Sequence, residues 1–283
     1  MAYSSNTLFS LINDLHPGSK AWAIRARVIR LYKQPSFVNK KVIGSVEMVI
    51  HDQEGVRIHV SMRPDIYKKF KEVLSEGSLY IIKHFFVNEN QGNVKTTNHN
   101  HKLGFFRDSV MVKYEDDHFL SFMFNITHLD QLQIDQEFDV TILKDVIGRV
   151  ISYQKPFEGS NTKKLDFRSK TLNYIQDLLP VLETTKDKPV IVAIQFGRAM
   201  KLTNGVKISS GYHVTKVTVN ADSDVFKDFM TRLNLRSNAE SNKMLSNTDY
   251  SIFEEFTTGR AKVKKIAYLN DDKNIRKCSV SNV

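Results

Sequence analysis

The sequence predicts a mainly β protein built from two tandem small barrels with short helices. Apolar and basic residues alternate from Trp22 to Tyr32, as in a half-buried strand, and a similar succession of strand-like segments begins again near residue 145. The 283 residues suffice for two domains, and 41% hydrophobic residues supply a core for both. Global disorder is therefore excluded.

The first barrel is predicted over residues 18–116, after a helical lead-in over 1–17 that stops at the Pro17-Gly18 pair. Its elements, in chain order, are strands over 22–32, 46–50 and 56–62, a helix over 65–74, and strands over 80–87 and 102–112. Three strands, a helix and two strands are the succession of the OB fold, a five-stranded Greek-key barrel.

A second OB fold is predicted over 117–235, and it is partly degenerate. Strands over 145–152, 189–196 and 206–219 and a helix over 222–233 follow the pattern of the first barrel. Residues 236–283 are predicted as a linker and tail because their start is polar.

Composition limits the class of partner. The 41 Lys and Arg residues exceed the 31 Asp and Glu residues, so the net charge of +10 favours an anionic partner such as nucleic acid or an acidic surface. The single cysteine, Cys278, excludes an intrachain disulfide and a zinc ribbon, and it fits a reducing compartment inside the cell.

No targeting signal and no catalytic machinery are predicted. The N-terminal segment lacks the basic start and cleavage site of a secretory signal, and no apolar run approaches the length of a membrane span. The motifs of serine hydrolases, zinc peptidases and nucleotide-binding loops are missing, and His99 and His101 lack a third metal ligand. We therefore expect a protein that is not an enzyme, carries no metal or cofactor and does not contact a membrane.

Several segments resemble a known family. WAIRARV at Trp22–Val28, DQEG at Asp52–Gly55 and LSEG at Leu74–Gly77 are similar to the first strand, first hairpin and closing helix of the large subunit of replication protein A, with its plant paralogues. In the second half, DVIG at Asp145–Gly148 and NAD at Asn220–Asp222 follow the order of the same family. The resemblance also implies that one of the family's hairpins is missing between residues 163 and 189, which would leave an open sheet edge. The resemblance covers roughly residues 8–235.

The resemblance implies two tandem OB domains that bind single-stranded DNA in replication, repair or recombination, in the nucleus. It also implies a chain truncated before the family's C-terminal zinc-ribbon OB domain, so we expect no assembly into the family's heterotrimer by that route. One alternative is a degenerate paralogue whose OB folds are protein-interaction modules with little DNA binding. A third reading is an RNA-binding OB protein.

The candidate binding residues supply charge more than stacking rings. The predicted phosphate contacts are Arg25, Arg27, Arg30, Lys33, Lys40, Lys41, Arg57, Lys95, His99, Lys102, Arg149, Arg198, Lys201 and Lys207. Tyr32 and Phe37 are the candidate stacking rings, whereas the family's other aromatic positions fall on Ser61 or Met62 and on Val94. We therefore expect weak, steeply salt-dependent binding with little or no sequence readout.

Overall fold

The computed structural model describes residues 9–19, 21–121, 124–128, 131–132, 138–154, 164–167, 170–173, 189–202 and 205–246. The chain divides into two units, Met1–Phe226 and Lys227–Val283, and the first unit contains both barrels. The strands are β1 (Ala23–Pro35), β2 (Ile43–His51), β3 (Arg57–Met62), β4 (Leu79–Lys83), β5 (Phe86–Glu89), β6 (His101–Gly104), β7 (Val110–Tyr114), β8 (Lys144–Gln154), β9 (Lys164–Phe167), β10 (Lys170–Asn173), β11 (Ile191–Leu202), β12 (Gly205–Ser210) and β13 (Lys216–Val219). The helices are α1 (Pro64–Phe70) and α2 (Asp224–Ser246), with 3₁₀ turns at Ile12–Asp14 and Tyr212–Val214.

The first barrel closes through two bent segments, one containing β4 and β5 and the other β6 and β7, because β4 pairs with β7 and β5 pairs with β6. The strand order is β5-β6-β3-β2-β1-β4-β7. His84, in the left-handed region at φ 56°, lies at the bend between β4 and β5, which are consecutive parts of one bent segment, and β6 and β7 follow each other across a turn that ends at Ser109. The first and last strands of the sheet, β5 and β7, therefore both belong to these two paired segments. With β3 and β6 parallel, this is the predicted OB fold.

The second barrel also closes, and here the structure corrects the sequence. Its order is β12-β10-β9-β8-β11-β13, and β12 pairs with β11 as well as with β10. The hairpin expected to be missing is present as β9 and β10, which pair antiparallel from Lys164 to Asn173. Strands of four residues carry too little alternation for a pattern to be recognised, which explains the wrong prediction.

A β-bulge in β1 lets one strand serve two cores. The register shifts between Val28 and Arg30, so that neighbouring Val28 and Ile29 are both fully buried. Val28 packs in the core of the first barrel, and Ile29 packs on the opposite face. There it joins a junction cluster that contains residues of both barrels, namely Ile29, Val49, Leu143, Phe196 and Val214.

A buried ion pair reinforces the junction cluster. Asp145 of β8, whose side chain is 1% exposed, accepts a hydrogen bond of 2.9 Å from the Arg57 guanidinium of the first barrel. Its carboxylate also accepts backbone N–H bonds from Asn125 at 2.9 Å and Phe196 at 3.0 Å. The Asp145 carboxylate therefore joins the first barrel, the segment between the barrels that contains Asn125, and β11.

A second polar contact at the junction is built around Glu76. Its carboxylate accepts hydrogen bonds from Arg30 at 2.7 Å, from the backbone N–H of Leu31 at 2.8 Å and from Lys216 of β13 at 2.7 Å. Burial alone would raise the pKa of Glu76, but these hydrogen bonds outweigh it and lower the pKa. The carboxylate therefore stays charged at neutral pH and bonded to both barrels.

The last described element is longer than predicted. The helix expected over 222–233 runs as α2 to Ser246, through part of the polar stretch assigned to a linker. Residues 247–283, including Cys278 and the rest of the predicted tail, lie outside the described residues. Within the part of the chain that the structure describes, no helix is long and apolar enough to cross a membrane.

Candidate nucleic-acid interface

A groove of about 820 Å³ crosses the outer face of β2 and β3 in the first barrel. One wall is the loop between β1 and β2, and the other is the segment that follows β5. Leu143, Gly211, His213 and Val214 of the second half extend the lining at one end. The face of the second and third strands, together with these two loops, is the surface with which OB folds hold oligonucleotides.

The loop between β1 and β2 is an ordered hairpin turn with an exposed tip. Ser36 N–H donates to Val42 O at 2.8 Å, and Val42 N–H donates to Asn39 O at 3.0 Å. The turn leaves Phe37 98% exposed, with Lys40 and Lys41 exposed beside it. Phe37 and Lys40 line the groove, so a ring and a cation stand together on its rim.

The opposite wall is held in place by the second half of the chain. Lys95 N–H donates to Thr141 O at 2.7 Å, and Leu143 N–H donates to Lys95 O at 2.9 Å. This short ladder fixes the backbone of Lys95, which lines the groove together with Lys102 of β6. Lys40, Lys95 and Lys102 therefore give the groove a basic rim.

The floor of the groove is a cross-strand row of polar side chains. Tyr32 pairs with Glu47, and Glu47 pairs with Ser61, so the three lie side by side on β1, β2 and β3. The Ser61 hydroxyl donates to Glu47 Oε1 at 2.9 Å, and His59 Nε2–H donates to Oε2 at 2.7 Å. His59 Nδ1 lies 2.7 Å from Thr96 Oγ1, which ties the floor to the wall that bears Lys95.

Charge on the floor follows from these bonds. Burial would raise the pKa of Glu47, but the hydrogen bonds from His59, Ser45 and Ser61 outweigh it and lower the pKa. Burial, followed by the nearby Glu47 carboxylate, raises the pKa of Tyr32, so its phenol is neutral. At neutral pH the floor therefore presents one carboxylate beside a neutral ring.

Four of the predicted phosphate contacts are bonded within the chain. Arg30 donates to Val214 O at 2.7 Å and to Glu76, and Arg57 pairs with Asp145. The remaining two, Arg25 and Arg27, donate respectively to Gln53 Oε1 at 2.9 Å and to Gly77 O at 2.7 Å. None of the four lines the groove as the structure describes it.

The predicted residues of the second barrel lie apart from the groove. Arg149 is exposed on β8, and Lys201 stands over the Phe138 ring at 5.1 Å. Arg198 and Lys207 project from the same face of the β11–β12 hairpin, because their cross-strand partners are Ser209 and Met200. None of these four is among the described lining residues of the groove.

His99 lines a different cavity, of about 580 Å³, which also contains Arg57 and Asp145. Its Nε2 lies 3.2 Å from Ile12 O, and its Nδ1 accepts the His101 backbone N–H at 3.0 Å. Both ring nitrogens are thus bonded to backbone atoms. Across the residues with assigned positions, no group of three or more His, Cys, Asp or Glu side chains could hold a metal ion.

Sequence reasoning identified part of the groove but missed most of the polar side chains of its floor. Tyr32, Phe37, Lys40, Lys95 and Lys102 do come together there, and the neighbouring Lys33 and Lys41 are exposed on the same strand and loop. Glu47, His59 and Thr96 were not singled out. The available signal was Glu47 itself, because a carboxylate in the middle of a strongly apolar strand needs buried partners.

Part of the chain is similar to known proteins. Residues 13–135 match the family described as Domain of unknown function DUF223. Replication factor A protein 1 of Saccharomyces cerevisiae is 26% identical over 164 residues, which are 57% of this chain and 26% of the relative. The chain thus spans about a quarter of the length of that curated protein.

A solved structure of a replication protein A heterotrimer bound to single-stranded DNA shares the fold. Its TM-score is 0.54 at 16% sequence identity, and the match covers 80% of this chain and 55% of the other. Each barrel contains one parallel strand pair, β3 with β6 and β10 with β12. The fold and the sequence similarity therefore point to the same family of proteins. The chain is a protein similar to the large subunit of replication protein A.

Proposed function

We propose that this protein binds single-stranded DNA in the groove of its first barrel. The observation that carries the proposal is the position of Lys40, Lys95 and Lys102 around the strand face on which OB folds hold oligonucleotides. The similarity to the large subunit of replication protein A supports it, since the solved heterotrimer of that protein holds single-stranded DNA. A role in replication, repair or recombination, in the nucleus, is part of the proposal.

The binding mode follows from what surrounds the strand. Phosphates would follow the lysine rim, because Arg25, Arg27, Arg30 and Arg57 already serve as internal donors. Stacking would depend on Phe37 and on Tyr32, whose ring packs against the junction cluster. Affinity would therefore come more from phosphate contacts than from stacking, and it would fall steeply with salt.

Replacing the three rim lysines tests this mode. The slope of log association constant against log salt concentration is negative. In Lys40→Ala/Lys95→Ala/Lys102→Ala we expect its magnitude to decrease by about 2, because each lost phosphate contact removes about 0.7 for a single strand. Fluorescence anisotropy with a labelled single strand of mixed sequence, across a salt series, measures the slope.

The matched control removes three exposed lysines elsewhere, in Lys68→Ala/Lys71→Ala/Lys113→Ala. Both variants carry the same net charge, so an equal loss in the control would mean that only overall charge matters. Absence of binding by the unaltered protein at low salt would refute the proposed function. Competition with RNA of the same sequence decides between the two sugars.

A second candidate function, docking of a protein partner, is favoured by one observation. Phe37 and Val38 are each 98% exposed at the tip of an ordered loop, and Val42 beside them is 54% exposed. Clustered exposed apolar side chains mark interaction sites. The same tip would serve either a stacked base or a partner protein.

Phe37→Ala separates the two candidate functions. If the ring stacks on a base, the loss is about 1–3 kcal/mol, or roughly fivefold to 150-fold in Kd, measured by anisotropy with the mixed-sequence strand. Val38→Ala is the control, since it removes an equally exposed side chain that cannot stack. Equal oligonucleotide affinities for both variants and the unaltered protein would favour protein docking at this tip.

A further inference from the structure

The groove contains a fixed negative charge at the place where a bound strand would pass. Glu47 is the one acidic residue among the described residues that line it. The side chain is 11% exposed, and hydrogen bonds from Ser61 and His59 hold its two oxygens. His59 is anchored in turn by Thr96 on the wall of the groove. The carboxylate is therefore oriented before any ligand arrives.

A carboxylate in this position discriminates between the parts of a nucleotide. The carboxylate has about four acceptor sites, and the hydrogen bonds from Ser61, His59 and Ser45 occupy three of them, so one remains for a ligand. A phosphate is repelled by an ionised carboxylate, and the pKa of Glu47 is lowered, so the group is ionised at neutral pH. A base that presents an exocyclic amino group to the carboxylate is attracted instead. A strand whose phosphates follow the lysine rim would thus turn its bases toward the floor.

We propose that Glu47 reads the edge of a base in the groove by accepting a hydrogen bond from an exocyclic amino group, and that the protein therefore prefers cytosine to thymine. Cytosine presents its N4 amino group where thymine presents the O4 carbonyl, which would face the carboxylate acceptor to acceptor. The two pyrimidines are close in size, so shape and stacking change little between them. The inference rests on the proposed binding of single strands and adds a base preference that the depleted rings did not predict.

The test compares labelled oligodeoxycytidine and oligothymidine of equal length, about 12 nucleotides, in one buffer. By fluorescence anisotropy we expect the unaltered protein to bind the cytosine strand about fivefold or more tightly. A third strand, in which 2-pyrimidinone replaces cytosine and so lacks only the amino group, is expected to bind like oligothymidine. Equal affinity for the three strands would overturn the readout and leave DNA binding intact.

Glu47→Gln assigns the preference to this side chain, because the amide keeps the shape but carries no charge and offers a donor to thymine O4. We expect the cytosine preference to fall below about twofold, whereas Glu54→Gln, exposed in the hairpin turn, keeps it. A preference that survives Glu47→Gln refutes the role of Glu47.

Two further results keep the experiment decisive. If Glu47→Gln unfolds, as judged by circular dichroism, the 2-pyrimidinone strand with the unaltered protein decides whether an amino group is read. If neither homopolymer binds at low salt, the proposed function itself fails, which differs from equal binding of both.

Discussion

Asp145→Ala is expected to lower the free energy of unfolding by about 3–5 kcal/mol, because it removes the buried carboxylate that pairs with the Arg57 guanidinium. The Arg57 side chain is only 12% exposed, so water does not replace the lost partner. The substitution also leaves the backbone N–H groups of Asn125 and Phe196 without an acceptor. Urea denaturation followed by tryptophan fluorescence and by circular dichroism measures the loss.

The control for this substitution is Asp65→Ala, which breaks an ion pair with Arg63 at 2.7 Å. Its side chains are 75% and 58% exposed, so we expect a loss of at most about 1 kcal/mol. Arg57→Met/Asp145→Leu is expected to recover part of the stability, since no charge then remains buried. A loss in Asp145→Ala no larger than that in Asp65→Ala would contradict this account of the junction.

Phe85→Ala is expected to lower the free energy of unfolding of the first barrel by about 3–5 kcal/mol, the cost of emptying a large core site. Phe85 is fully buried in the core, directly after the left-handed His84 at the bend between β4 and β5. The surrounding strands are joined by the closed ladder of the barrel, so they have little room to collapse into the cavity. Urea denaturation at matched protein concentration measures the loss.

Phe86→Ala removes the same number of atoms from the adjacent position. Phe86 is 39% exposed and meets Phe106 with ring centroids 4.5 Å apart, a contact of about 0.5–1.5 kcal/mol. The difference between the two variants therefore measures burial rather than residue type. Equal losses would mean that the two rings contribute alike and that the inward and outward faces are wrongly assigned.

The fold was predictable from the sequence where apolar and polar residues alternate over a long stretch. Along β1 and β2, members of the first barrel's core recur at every second position, at Ile24, Ala26 and Val28 and again at Val46, Met48 and Ile50, so strand, face and hairpin could all be assigned. The β9–β10 hairpin was not, because four-residue strands resemble loops and become strands only through pairing with β8 and β12. The extension of α2 to Ser246 was not predicted, because the sequence after Leu233 is polar and shows no apolar helix face.

The site was predictable only in part, for a different reason. Alternation shows that Arg25 and Arg27 leave the core of the barrel, but not which other segment covers that face. The same alternation would put Arg30 on the core face, and Arg30 points outward only because of the bulge at Ile29. Arg30 bonds to Val214, 184 residues along the chain, and no local pattern signals such a partner. Lys40 and Phe37 were found because an exposed loop tip depends on local residues alone.

The ladder between Lys95 and residues 141–143 has a consequence for how the protein can be divided. The wall of the first groove is held by the start of the second barrel, and Ile29 and Val49 are covered by its residues. A fragment cut after residue 116 would thus lose both the support of its binding loop and the cover of an apolar face. The first OB fold therefore depends on the second for its stability, and a minimal fragment that binds DNA must retain the strand that begins at Lys144.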